Sequence, residues 1–396
     1  VSIIKKILYI IKNMQEKKPL KNINIIDLTN VLSGPFATLL LGDLGANIIK
    51  VEKPQGDDSR EFGPFINRKS CYFISLNRGK KSIVLDLKEK KDKKIFTQLL
   101  SKSDVLIENY KPKTLQSLGF SWKKISKEFP KLVYAKISGF GETGPMSDLP
   151  AYDMVVQAMG GLMSITGSSK KNLSRVGTSI GDITAGLFCV SGVLSALYKR
   201  EKTNKGSKID ISMLDCQVAI LENAIARYSV SDKIPEPLGT DHPSITPFGA
   251  FKTSNGKIII AAGNNKIFKN LCSVISRNDI SKNRKFADNN KRNKNIKVLR
   301  LEIESTLKKR KSKFWIDLFR RSNIPCSTID NIKEVMKNPQ LIKRNMIQDY
   351  FESSSHKIKV SGNPIKFNGI KEKKIAKKAP TLNQHRKKIL EEFGII

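Results

Sequence analysis

From Ile23 onward, short continuous apolar runs take turns with stretches whose apolar residues recur at helical spacing, which predicts strand and helix in alternation. Ile23 to Leu28 reads as a buried strand. Gly34-Pro35 opens a helix that turns Ala37, Leu40, Leu41 and Leu44 inward, and Gly45 ends it before a second strand at Asn47 to Glu52. A third strand, Ser82 to Leu87, follows the turn Asn77 to Lys81, and a basic amphipathic helix covers Lys90 to Leu100. Asp104 to Glu108 and Leu132 to Ser138 are further strands. Ala151-Tyr152-Asp153 begins another helix, Lys208 to Ser212 is a strand, and a long helix runs from Leu214 to about Tyr228. Such repeated alternation predicts an α/β fold: a large Rossmann-like domain with an open, mostly parallel sheet and ligands beyond the strands' carboxyl ends.

The texture changes after Ser231. Prolines at 235, 237, 243 and 247 mark residues 231–247 as a linker, and Phe251 to Ala262 reads as a β-hairpin followed by helices rich in Lys and Asn. The expected organisation is a large domain over 21–230, a smaller α+β domain over 240–331, and a part at 332–396 that returns to the large domain. Residues 1–20 form a basic, apolar N-terminal extension outside the fold, with Met14 as the expected start.

At 396 residues the chain is long enough for two domains, and no apolar run approaches the length expected of a membrane span. The formal charge of +36 raises the prospect of nucleic-acid binding, but the lysines are spread along the chain without interleaved aromatics, as a composition bias would spread them. Five widely spaced cysteines without paired spacing point to a reducing compartment, with neither a disulfide framework nor a metal site. With three histidines and no H-x-x-x-H pair, a metallohydrolase or a Ser-His-Asp hydrolase is hard to build.

Two motifs carry chemistry. Gly139 to Gly144 matches G-x-G-x-x-G but runs on into a proline-bounded loop, so it reads as a glycine-rich turn, either over a ligand or simply structural. In Arg175 to Gly186, Asp182 stands at the mouth of an apolar helix. A helix N-terminus favours an ionised carboxylate, and by residue type alone Asp182 is either an N-cap or a reactive group.

The segments Asp27 to Thr38, Leu44 to Lys53, Leu76 to Asp86, Asp104 to Asn109 and Ile137 to Pro145 together resemble the class III CoA-transferases, a family that includes formyl-CoA transferase, carnitine CoA-transferase and the α-methylacyl-CoA racemases. The resemblance runs from about Ile23 to the C-terminus. It implies that Asp182 is the nucleophile of a CoA-transferase working through an aspartyl anhydride and an aspartyl-CoA thioester. It places Val31, Leu32, Ser33, Lys53, Leu76, Lys80 and Asn109 along the CoA. Ser117 and Ser138 depart from formyl-CoA transferase, which has basic residues there. Tyr152 stands where the racemases have histidine, which sets racemisation below transfer.

Gly239 to Phe248, Gly263 to Asn265 and Ile324 to Asp330 look most like the branch using dicarboxylates, such as succinyl-CoA:glutarate CoA-transferase. The resemblance further implies no tightly bound cofactor or metal, CoA and acyl-CoA as substrates, an interlocked homodimer, and a cytoplasmic location, or the mitochondrial matrix if the source is eukaryotic.

Overall fold

The computed structural model describes residues 18–396, and the extension preceding Lys18 lies outside the described residues. Two compact units are formed: one from residues up to 162 with 175–230 and 339–396, the other from 163–174 with 231–338.

The first unit is built on six parallel strands: β1 (Asn24–Asp27), β2 (Asn47–Glu52), β3 (Lys81–Val84), β4 (Val105–Glu108), β5 (Val133–Ser138) and β6 (Lys208–Ser212). Their order, β6-β5-β4-β1-β2-β3, is that of a doubly wound sheet. The chain starts in the middle at β1, builds outward to β3, and then returns to the other side of β1 with β4. The crevice between the β1 and β4 carboxyl ends is therefore the place where loops diverge and a ligand fits.

Alternation along the strands supplies two cores. Ile25 faces Ile48 and Val105 on one side, against α1 (Ser33–Asp43) and the long helix α6 (Ile180–Thr203). Ile26 faces Ile49 and Leu106 on the other, against α3 (Lys90–Ser101) and α4 (Trp122–Glu128). Between these in sequence lie two shorter helices, α2 (Cys71–Asn77) and α5 (Asp153–Met159), and α7 (Met213–Ala219) follows β6.

In the second unit β7 (Phe248–Thr253), β8 (Gly256–Ala261) and β9 (Cys326–Thr328) form an antiparallel sheet. Phe251, Ile258 and Ile260 from that sheet share a core with α8 (Asn265–Val274), α9 (Ile296–Leu307) and α10 (Ser312–Arg321). Back in the first unit, the strand pair β10 (Ile347–Phe351) and β11 (Lys357–Ser361) precedes α11 (Arg386–Glu392), whose Ile389 and Leu390 complete the second core.

Several sequence expectations are corrected. Leu20 is buried and its N–H bonds the Leu44 carbonyl at 3.0 Å, so the end of the supposed 1–20 extension belongs to the first unit. Residues 163–174 and 332–338 group with the second unit, not the large domain. The helix expected from Leu214 to Tyr228 is broken between Ala219 and Ala224, where Glu222 takes a φ of 57° that no helix continues. Finally, α6 has 24 residues and is apolar enough to span a bilayer by length and composition, contrary to the expectation that no run approaches that length. Its Ala185, Cys189 and Val193 are instead buried against the sheet core.

Candidate active site

Between β1 and α1 the chain makes a tight, strained passage. Val31 has a φ of 65°, a conformation that a β-branched residue adopts only when its surroundings impose it. Two carboxamide and carboxylate contacts do so. Asn109, just beyond β4, accepts from the Asn30 N–H at 2.8 Å and donates to the Asn30 carbonyl at 2.9 Å, while Asp57 accepts from the Val31 N–H at 3.2 Å. Asn109 also reaches the Ser33 hydroxyl at 3.3 Å. The loop is thus tied across the switch point of the sheet.

Beneath it lies a buried ionic network. Asp27 accepts from the Thr29 N–H, from the Thr38 hydroxyl at 2.7 Å and from Lys80 at 3.0 Å. Lys50 pairs with Asp57 at 2.8 Å and donates to the Thr29 carbonyl at 2.7 Å. Glu52 holds Arg60 at 2.7 Å and the Ser82 hydroxyl at 2.6 Å. Three carboxylates meet three cations, so the network is neutral. Burial opposes ionisation of Asp27, but Lys80, Lys50 and the two threonine hydroxyls outweigh it and hold its carboxyl well below the ordinary range. A charge cluster of this kind fixes geometry, because losing any one member leaves its partner buried and unpaired.

Asp182 occupies the first turn of α6, the third helical residue after the flanking Ser179. The sequence alternative of an N-cap is therefore not its structural position: the helix begins at Ile180. The end is satisfied instead from α5, where the Asp153 carboxylate accepts from the Gly181 N–H at 2.7 Å. Asp153 in turn accepts from Gln157 at 2.8 Å, and Gln157 accepts from the Val176 N–H at 2.9 Å.

Two glycines permit this closeness. A Cβ on Gly181 would lie 2.9 Å from the Asp153 carboxylate and 2.8 Å from Val156, and a Cβ on Gly186 would lie 2.8 Å from the Ser33 carbonyl oxygen. Gly186 is one turn beyond Asp182 on the same face. The close crossing of α1 and α6 sets the start of α1, with Ser33, beside the first turn of α6. The half-buried carboxyl is raised to about 7, first by burial and then by the neighbouring Asp153, with the Ser33 hydrogen bonds pulling the other way. Nearby Tyr72, on α2, is pushed up to about 12 by burial and then by Asp182, so its phenol stays protonated.

Such a site offers a poorly solvated carboxylate that titrates near neutrality, and N–H and O–H donors at the start of α1. It suits attack on a carbonyl whose oxygen acquires charge. Of the residues singled out from the sequence, the fold brings Asp182, Ser33 and Asn109 into one connected site, with Val31 and Leu32 in the tied loop.

Lys53 is exposed and pairs with Asp58 at 2.6 Å. Lys80 is a correction: the residue is 3% exposed and its ammonium is surrounded by Asp27, Thr38, Asn77 and the Pro35 carbonyl, so it supports the loop from below rather than facing a ligand. Leu76 is likewise buried. Ser117 is exposed and Ser138 accepts from the Gly141 N–H at 3.0 Å, within the glycine-rich turn. Asp153's capping role, Gln157, Tyr72 and the Lys50–Asp57 pair were not anticipated. The one available signal was the i, i+4 spacing of Asp153 and Gln157.

The parallel sheet with its switch-point loop and the half-buried carboxylate beside it define a protein of the doubly wound α/β class. The chain belongs to CoA-transferase family III, whose sequence profile matches residues 20–386. It is 39% identical to the acetyl-CoA:oxalate CoA-transferase of Acetobacter aceti over 96% of each chain. It is 38% identical to the human succinyl-CoA:glutarate CoA-transferase, over 96% of this chain and 87% of that one. Among solved structures, a CaiB/BaiF family protein from Brucella suis superposes with a TM-score of 0.83 at 32% identity, covering 96% of this chain and all of that one. The protein is a class III CoA-transferase.

Proposed function

We propose that this enzyme moves CoA from an acyl-CoA donor, succinyl-CoA foremost, to a small dicarboxylate such as glutarate, with Asp182 as nucleophile. The observation that carries this reading is the Asp182 carboxylate: held by Ser33 at the start of α1, and raised by burial and by Asp153 to about 7. A carboxylate stripped of water in this way is more nucleophilic than a solvated one, and ionised in useful amounts at neutral pH.

In the first half-reaction an Asp182 oxygen attacks the donor thioester carbonyl, and the tetrahedral adduct expels CoA thiolate to leave a mixed anhydride. The thiolate then attacks the aspartyl carbonyl. The donor acid departs as its carboxylate, leaving an aspartyl-CoA thioester. The acceptor carboxylate attacks that thioester, again releasing thiolate and forming a second anhydride. Attack of the thiolate on the acceptor's carbonyl gives the new acyl-CoA and returns Asp182 as carboxylate. No proton need be carried between steps, and each oxyanion requires only fixed donors.

The CoA lies across the crevice between β1 and β4, with Val31, Leu32, Ser33 and Asn109 along it and Lys53 at its outer, solvated end. A dicarboxylate acceptor is supported by the oxalate and glutarate enzymes to which the chain is similar. The net charge of +36 would draw in a dianion. We also infer a homodimer, as the family resemblance implies.

Incubation with succinyl-CoA alone, quenching with hydroxylamine and mass spectrometry should place a hydroxamate on Asp182. New glutaryl-CoA should appear when glutarate is added. Asp182→Ala should abolish both while unfolding as cooperatively as the wild type. Full activity in that variant would remove Asp182 from the mechanism.

A further inference from the structure

The Asp182 carboxylate is aimed by its helix, yet the helix is fastened by a residue of another helix. Asp153 lies at the start of α5 and is almost completely buried, with 9% of its surface exposed. One of its oxygens takes the Gly181 N–H, the peptide immediately before Asp182, at 2.7 Å. The other takes Gln157 at 2.8 Å. Gly181 has no side chain in the way, and any Cβ there would press on the same oxygen. Ser179, where a capping side chain would ordinarily sit, makes no such bond.

We propose that Asp153 is a positioning residue for the nucleophile: its carboxylate holds the first turn of α6 through Gly181 and sets a fixed negative charge beside Asp182. This rests on Asp182 being the nucleophile. Among the described residues, the groups that bear on Asp182 are Asp153 from α5, Tyr72 from α2 and Ser33 from α1, with Arg175 standing 4.0 Å from Asp153. Of these, Asp153 is the carboxylate whose charge opposes ionisation of Asp182. One side chain therefore does two things at once, orienting the nucleophile and keeping it from acting as a weak, low-pKa base.

Hydrogen bonding and charge separate experimentally. In Asp153→Asn the amide oxygen can still accept from Gly181, but the amide nitrogen then faces the Gln157 nitrogen, two donors in opposition. Adding Gln157→Glu restores an acceptor there and still accepts from Val176, while moving the charge from residue 153 to its hydrogen-bond partner, one contact of 2.8 Å further from the Gly181 N–H. In the wild type, kcat/KM should rise with pH through about 7 and level off as Asp182 ionises.

Asp153→Asn should lose about 10- to 100-fold in plateau kcat/KM. The double variant should recover most of that loss with its acid limb below that of the wild type. A double variant whose acid limb stays at the wild-type position, or an Asp153→Ala enzyme with wild-type kcat and KM, would overturn the proposal. If Asp182→Ala were also active, the nucleophile assignment itself would fall, so the two failures are distinguishable.

Discussion

At the scale of single residues, Asp182 and Asp27 show one site bending two carboxyl groups in opposite directions. Asp27 meets burial with Lys80, Lys50 and hydroxyl donors, so its ionised form is the stable one. Asp182 meets burial with another carboxylate nearby and only Ser33 to offset it. For Asp182 the folded value lies above the unfolded one, so its favourable contribution is complete below about pH 4 and is lost as pH rises through about 7. The shift corresponds to at most about 4 kcal/mol, and partial solvent exposure reduces this to roughly 1–3 kcal/mol.

Asp182→Asn keeps an oxygen for Ser33 without the charge. We expect it to raise the urea midpoint at pH 8, with the gain fading towards pH 4, and a lower midpoint at pH 8 would contradict this account. With Asp182 as the proposed nucleophile, function here works against stability. The placement of Asp182 at the start of α6 was legible from its flanking segment, but the contact with Asp153 was not, because the bond from Gly181 to Asp153 spans 28 positions and follows no local period. Lys80 shows the converse. Its presence in a motif could be read, but the direction of its side chain depends on Asp27, Thr38 and Asn77 meeting it from three elements.

At the scale of elements, the crossing of α1 and α6 decides whether Ser33 meets the Asp182 carboxylate. Gly186 is its pivot. Replacing it with alanine gains up to about 1 kcal/mol in helix propensity but drives a methyl into the Ser33 carbonyl, a backbone atom that cannot swing aside. Overpacking of this sort costs about 1–3 kcal/mol, so the clash prevails and the helices separate. Gly186→Ala should therefore lower the denaturation midpoint and reduce kcat/KM on the order of tenfold or more, measured on the same preparation. Unchanged activity would mean that the spacing of the two helices does not set the Ser33–Asp182 contact.

The strand pair Ile347–Phe351 and Lys357–Ser361 was not recognised from apolar periodicity, whereas the six parallel strands and α1 could be, each within a few residues. Their order could not: parallel pairing of β1 with both β2 and β4 is set by how the intervening helices cover the two faces, which periodicity does not encode. The start of α6 was read to within a few residues, with Asp182 at its mouth, but the cap that α5 supplies from outside was not.

At the scale of the molecule, charge and apolar surface pull in different directions. A net charge of +36 disfavours bringing two copies together, whereas α6 leaves Leu187, Phe188, Leu194 and Tyr198 36–66% exposed. Met154, Val155 and Met159 on α5 add to the uncovered apolar surface of the same unit, each at least 42% exposed. Leu187, Leu194 and Tyr198 fall on one face of α6, at helical spacing, and such a stripe calls for a partner. If a second copy covers it, the assembly rests on apolar burial, which salt does not weaken, while the repulsion opposing it is screened.

If instead the positive charge recruits a polyanion, binding must fall steeply with salt. Multi-angle light scattering should therefore give a dimer mass at ~0.05 M and at ~1 M salt alike, whereas recruitment of a polyanion would show as retention on immobilised DNA that vanishes over the same range. Leu194→Lys combined with Tyr198→Lys places two more cations in the stripe and should shift the mass to that of a monomer or prevent recovery of folded protein. A wild-type monomer at both salt concentrations would leave the apolar face of α6 without the partner argued for it.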